Sequence, residues 1–308
     1  MHSADASFEA LLPHAIKPPG FRLPNATRLG RVILQVADLD RSIRYYRDVI
    51  GLRVLTQSRA RAVMGAHDDS HALIELVELA GATPAPAMRR LGLYHVAILL
   101  PDRPALGRFL SHVADTDERV GMSDHLVSEA LYLTDPDGLG LEVYADRPRA
   151  TWRSSNGQLA MASDPLDVRD LMSASGGEPW TGAPAGTAIG HVHLHVGDLT
   201  AGSSFYHDGI GFDKTVWQYP GALFLSAGGY HHHVGTNIWA RNAESARHDE
   251  ARLLEWEIVL PSAHDTEALA SNLEAHGISV SRERDGGSIT VSDPWGTRVR
   301  VSAGHARA

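Results

Sequence analysis

The sequence contains no cysteine, which excludes disulfides, thiolate metal ligands and cysteine nucleophiles. Positive charge is scarce. Against 37 aspartates and glutamates stand 28 lysines and arginines, for a formal charge of −9, and no block of basic residues occurs. Neither nucleic acid nor an anionic membrane surface is therefore an expected partner. The N-terminal stretch MHSADASFEALLPHAIKPPGF lacks a basic region followed by an apolar run. No segment approaches the ~20 apolar residues of a membrane-crossing helix, and the expected location is cytoplasmic. Histidine, by contrast, is abundant: 18 residues, more than the 6 Phe and 6 Trp together. Length and hydrophobic content, 308 residues and 43%, fit a soluble globular protein of about two domains. Three histidines, His231, His232 and His233, stand in a row within GGYHHHVGTNIW, residues 228 to 239.

The chain repeats one plan four times. LGRVILQVADLDRSIRYYRDVIGL from Leu29 and IGHVHLHVGDLTAGSSFYHDGIGF from Ile189 each read as an alternating strand, a capping aspartate, an amphipathic helix with an aromatic pair, and a glycine exit. LYHVAILLPDRPALGRFLSHV from Leu93 and LEWEIVLPSAHDTEALASNLEAHGI from Leu254 are looser copies. Two or three strand-like runs follow each helix, and two units end in Asp-Pro-x-Gly turns, at Asp135 and Asp293. Each unit is thus βαβββ over about sixty residues, too small to bury both its sheet and its helix, so the units must pair. The fold class is α+β. The expected layout is an N-terminal arm over 1–29, units one and two over 30–148, a connector over 149–188, and units three and four over 189–308. The connector is rich in Ser, Gly and Pro, with one short helix near Asp167 to Met172.

Strand alternation assigns faces. In GHVHLHV, Val192, Leu194 and Val196 pack under the helix, which turns His191, His193 and His195 toward a cavity. In YHVAILL the same reasoning turns His95 inward, and in GLGLEVY it turns Glu142 inward. In the triple run, parity favours His231 and His233 as inward, whereas a bulge would bring in His232.

The fourfold βαβββ plan resembles the vicinal oxygen chelate superfamily, and its two-domain catechol 2,3-dioxygenase-like (extradiol ring-cleavage) members most. The resemblance spans residues 29 to 303. It implies four modules paired into two open β-barrels with helices outside, and metal ligands on the first and last strands of a unit. His95, His191 and Glu142 occupy those positions. The other units carry Arg31, Glu255 and Arg300 there, with Glu75 alone in the first, so one metal site is expected. DHLVSEALYLTDPDGLGLE resembles the extradiol signature through His125, Leu131, Tyr132, Asp135, Pro136, Gly138 and Glu142, with Ser123 as a departure. The His-His-His run stands where the family carries a histidine facing substrate.

In many relatives unit one pairs with two, and three with four. The 64-residue spacing from Gly30 to Tyr94 and from Gly190 to Leu254 suits that arrangement. It would leave half a site in each barrel, so units two and three are expected to form the active barrel. The resemblance implies a non-heme Fe(2+), with Mn(2+) accepted by the same ligands, a small aromatic diol and O2 as substrates, and a homo-oligomer. His231 or His233 is assigned acid–base work, and His125 and Tyr132 hydrogen bonds to substrate. Gly228, Gly229 and Trp239 are read as shaping the pocket. His67, His71, His112, His207, His248, His264, His276 and His305 are read as surface residues.

Two rival functions share this pattern. One is a metal-dependent glyoxalase or isomerase, which needs a fourth ligand where Asn237 is expected. The other is a small-molecule-binding resistance protein, which needs no metal triad.

Overall fold

The computed structural model describes residues 15–86, 90–283 and 287–304. The first unit comprises β1 (Arg28–Val36), α1 (Leu39–Asp48), β2 (Arg53–Gln57), β3 (Arg61–Gly65) and β4 (Ile74–Glu78). The second comprises β5 (Gly92–Leu99), α2 (Arg103–Ala114), β6 (Gly121–Asp124), β7 (Ser128–Thr134) and β8 (Gly140–Asp146). The connector carries β9 (Ser154–Ser155), β10 (Gln158–Leu159) and α3 (Val168–Ala174). The third unit runs through β11 (Ala188–His195), α4 (Leu199–Ser203), β12 (Asp213–Val216), β13 (Ala222–Ser226) and β14 (Val234–Asn237). The fourth has β15 (Arg252–Leu260), α5 (Ala263–Ala275), β16 (Ser281–Arg282), β17 (Ser288–Ser292) and β18 (Arg298–Ala303).

Each unit's helix starts the same way. The side chains of Asp38, Asp102, Asp198 and Ser262 accept from the backbone N–H three residues on, satisfying a donor that the helix itself leaves unpaired. Each such cap stabilises by about 1 kcal/mol. In α1, Leu39, Ile43 and Tyr46 are buried at helical spacing against the sheet. The third helix departs from the plan, since after α4 the chain tightens into a π turn over Ser204–Gly209. There His207, expected at the surface, is buried and donates from Nδ1 to the carbonyl of Phe212 at 2.6 Å. His305 lies outside the described residues.

The strands assemble into two eight-stranded sheets, in the orders β16-β17-β18-β15-β1-β4-β3-β2 and β12-β13-β14-β11-β5-β8-β7-β6. One sheet therefore joins units one and four, and the other joins units two and three. The joints are antiparallel, β1 on β15 and β5 on β11. The main apolar core runs through both sheets and their helices and includes Leu34, Phe109, Val192 and Trp256.

The Asp-Pro-x-Gly turns tie neighbouring units together across this pairing. Asp135 accepts from the N–H groups of Asp137 and Leu139 at 2.9 Å and from the Tyr46 hydroxyl of unit one at 3.1 Å. Asp293 does the same with Trp295, Thr297 and Tyr206 of unit three. The closing glycines, Gly138 and Gly296, sit at φ +83° and +90°, where a side chain would be strained. Residues 15–27 of the arm lie along the third unit, with Ile16 bridged to Lys214 and Arg22 paired to Asp213 at 2.7 Å. Among the described residues, no helix is long and apolar enough to cross a membrane.

Candidate metal centre

In the sheet of units two and three, His95 of β5 stands opposite His193 of β11, and Ala97 opposite His191. On the other side of β5, the parallel strand β8 sets Glu142 beside Ala97. Paired residues share a sheet face, so the three strands aim His95, His191, His193 and Glu142 the same way. Ala97 sits among them, and its single methyl leaves the space the longer side chains converge on.

His95 Nε2 and His191 Nε2 lie 2.9 and 3.1 Å from the same carboxylate oxygen, Oε2 of Glu142. One nitrogen or oxygen from each residue falls within 4.8 Å of the others, and all three side chains are buried. Despite its short distance to Glu142, His95 Nε2 is not oriented for a hydrogen bond and has no partner. Burial pushes the His191 imidazole down to about 4, against the opposing pull of Glu142. For Glu142, burial works upward, but His191 and His95 together bring it well below the usual carboxylate range. A buried carboxylate without a cation is costly, and an unpartnered imidazole nitrogen aimed at it leaves that cost standing. A divalent cation taking one lone pair from each residue answers both, and the residues fit such a group.

The other sheet holds the same positions with different chemistry. Ile33 replaces Ala97, with Glu255 and Glu75 beside it. Glu75 is claimed by Arg31 at 3.1 Å and Arg61 at 2.6 Å, and Glu255 by Arg298 at 3.2 Å. Guanidinium groups and an isoleucine fill the place that a cation needs. A cleft of about 1620 Å³ opens near Arg31 and Arg300 and also borders Tyr230 and His233, but among the described residues no ligand triad lines it.

The triad opens onto a cavity of about 170 Å³, also lined by Tyr94, His125, Tyr132, His193, Phe224 and His232, with Trp239 at its exposed rim. Pockets for drug-sized ligands run to about 300–1,000 Å³, so this one suits a small ring compound. His125 donates from Nδ1 to the carbonyl of Ala162 and accepts from the Tyr132 hydroxyl at Nε2, both at 2.6 Å. His193 Nε2 is buried without a partner, and burial together with His95 and His191 holds that imidazole well below its usual value. His195 instead pairs with Asn237 Oδ1 at 2.7 Å.

The structure corrects the assignment within the triple run. His232 lines the cavity, its ring centroid 4.0 Å from that of His191, and neither His231 nor His233 does. His231 reaches Asp146 at 2.9 Å, and His233 Nδ1 accepts from the N–H of Ala227 at 3.2 Å and bonds the Ser226 hydroxyl at 3.0 Å. Strand alternation does not extend to them because β14 begins only at Val234. Before it, Gly228 and Gly229, at φ +61° and +67°, turn the chain, and neither lines the cavity. The ligand position of the third unit also shifts, since Gly235, not Asn237, faces His193 across the ladder. A Cβ on Gly235 would meet the His193 ring at 2.9 Å, so no carboxylate stands there.

The connector supplies what the sequence pattern did not show. Met161, Ala162 and Ser163 line the cavity. The segment is pinned by Gln158, whose Oε1 accepts from Trp217 N at 2.7 Å and Gln218 N at 3.0 Å. Leu159 is buried with Val127, Val216, Ala222 and Phe224 in a small core of its own. Polar composition had marked this stretch as a spacer. Leu159, an apolar residue within that polar run, was the available signal.

A family model described as the Glyoxalase/Bleomycin resistance protein/Dioxygenase superfamily matches residues 28–143 and 188–301. The chain is 43% identical over 272 residues to a catechol-2,3-dioxygenase of Bacillus subtilis (strain 168), covering 87% of this chain and 94% of that protein. Among solved structures it resembles glyoxalase I from Zea mays, with a TM-score of 0.54 and 17% identity over 90% of this chain and 92% of the other. A variant of that glyoxalase gives 0.56 and 16% over 97% of both chains. At such identity the structural likeness concerns the fold alone.

Proposed function

The chain belongs to the glyoxalase/bleomycin resistance protein/dioxygenase superfamily, and on that premise we propose that it is an extradiol ring-cleaving dioxygenase acting on a small catechol-type substrate. The observation that carries this reading is the donor set: two imidazoles and one carboxylate, with no fourth ligating residue grouped with them among the described residues. Such a set leaves about three positions open and is the arrangement of non-heme Fe(II) oxygenases. The identity to a catechol-2,3-dioxygenase supports it further. His95, His191 and Glu142 would hold Fe(2+), which supplies a common template for diol and O2 and passes charge between them.

The chain's own residues do the rest. Tyr94, Phe224 and Trp239 give the cavity the aromatic walls that receive a flat ring. His232, whose ring lines the cavity beside His191, takes the hydroxyl proton. Tyr132, whose hydroxyl burial holds protonated, gives that proton to His125 Nε2 and keeps its oxygen lone pairs to accept from substrate. The connector segment around Met161 excludes water.

The test is anaerobic loading with Fe(2+), followed by catechols in air. A yellow ring-cleavage product with matching oxygen uptake supports the proposal. Colourless turnover of a hemithioacetal, without oxygen uptake, replaces it with the glyoxalase reading. Failure to retain any divalent metal would leave a resistance-type binder.

A further inference from the structure

Behind His232 stands a line of side chains that neither metal binding nor ring packing requires. Asp146, the last residue of β8, has Oδ1 2.9 Å from His231 Nε2. His231 Nδ1 is in turn 2.7 Å from His232 Nδ1. The Tyr230 hydroxyl donates to the same Asp146 oxygen at 3.2 Å, and Tyr144 lies 2.6 Å behind it. His231 is fully buried, with the Trp152 ring 5.5 Å from its own, whereas the Asp146 side chain is 27% exposed.

We propose that Asp146 and His231 form a proton relay that fixes the tautomer of His232 and connects the cavity to solvent. It rests on the dioxygenase reading only for the identity of the substrate. The direction of the hydrogen bonds follows from donor inventory. A carboxylate only accepts, so His231 carries its proton on Nε2. In the neutral ring its Nδ1 is a lone pair, which accepts from His232 Nδ1. His232 Nε2, the remaining nitrogen of a ring lining the cavity, is left as a base. When a substrate hydroxyl gives its proton to that Nε2, the Nδ1 proton of His232 passes to His231 Nδ1. The Nε2 proton of His231 passes to Asp146, which releases it to water. Run backwards, the same transfers return one proton from water to a substrate oxygen that gains negative charge. A cavity of about 170 Å³ filled by substrate leaves little room for water, so the proton needs a route through the wall. Asp146 and His231 are positioning residues here, and His232 alone touches substrate.

The experiment compares wild type with Asp146→Asn, a near-isosteric change at a partly exposed residue. Nitrogen-15 spectra of the histidine rings, assigned for His232 by its loss in His232→Gln, are read first in metal-free protein. Wild type should show His232 protonated at Nδ1, and Asp146→Asn should move that proton toward Nε2. In iron-loaded protein, kcat for catechol should fall by about 100-fold while KM and iron content stay as in wild type. His232 found protonated at Nε2 in wild type overturns the relay, as does a kcat for Asp146→Asn within about twofold of wild type. If wild type cleaves no catechol, the dioxygenase reading fails by itself, and the metal-free spectra still decide the relay.

Discussion

At the residue scale, one position marks the difference between the two sheets. Ala97 has His191 and Glu142 as its cross-strand partners, and Ile33 has Glu255 and Glu75. Replacing Ala97 with isoleucine should therefore expel the cation without removing a ligand. The expected result is loss of metal in a competition titration, with a stability cost of about 1–3 kcal/mol from overpacking. Retention of full metal stoichiometry would show that the space above Ala97 is not the site. His95→Ala and Glu142→Ala should each weaken metal binding by at least about 100-fold, more than loss of a ligand's hydrogen-bond partner typically costs. Arg31→Ala, in the other sheet, should leave metal content unchanged. Alternation made His95, His191 and Glu142 legible in the sequence, because each lies inside a regular strand flanked by apolar residues. His232 was not legible, because the two glycines before it and the late start of β14 break the period on which parity depends.

Turns and the connector carry the argument at the scale of elements. In the Asp-Pro-x-Gly turn of unit two, burial foremost pushes the Asp135 carboxyl up to about 6 from an ordinary 3.8, against the hydrogen bonds it accepts. A carboxyl raised on folding binds its proton more tightly in the folded state. Its stabilising contribution is full below about pH 3.8 and disappears as pH rises through about 6. Charged, the buried group costs up to about 3 kcal/mol at neutral pH. Asp135→Asn keeps an oxygen to accept from Asp137 and Leu139. Its stability relative to wild type should rise between pH 4 and 7, as read from urea midpoints. A difference that stays flat across that range contradicts the assignment. In the connector, Leu159→Ala should loosen the cover over the cavity, raising KM for the diol and speeding amide exchange across residues 158–163. Equal exchange rates would mean that hydrogen bonds, those of Gln158 and His125 among them, hold the segment without Leu159. The helices and strands were readable because capping aspartates and alternating apolar residues set them locally. The cover was not, since hydrogen bonds to residues some sixty positions away hold it, and those leave no periodic trace.

For the molecule as a whole, the decisive fact is that both sheets are stitched from opposite halves of the chain. The repeat, and with it the α+β class, could be seen in the sequence. Repeat spacing could not choose between pairings, because equal spacing suits adjacent units as well as distant ones. Only the distribution of ligands, two in unit two and one in unit three, bore on that choice. Expressed separately, residues 1–148 and 149–308 should each fail to bind metal with a defined stoichiometry. Mixed or co-expressed, they should recover one cation per pair, as counted by elemental analysis. Metal held by residues 1–148 alone would contradict a centre that needs His191.

The joints of β1 on β15 and β5 on β11 also govern how the protein is born. While a ribosome is still making the connector, the first half of the newly made chain has two bare strand edges and no mate for either. At about 5–20 residues per second that exposure lasts several seconds, a window in which a neighbouring nascent copy on the same messenger could take the mate's place.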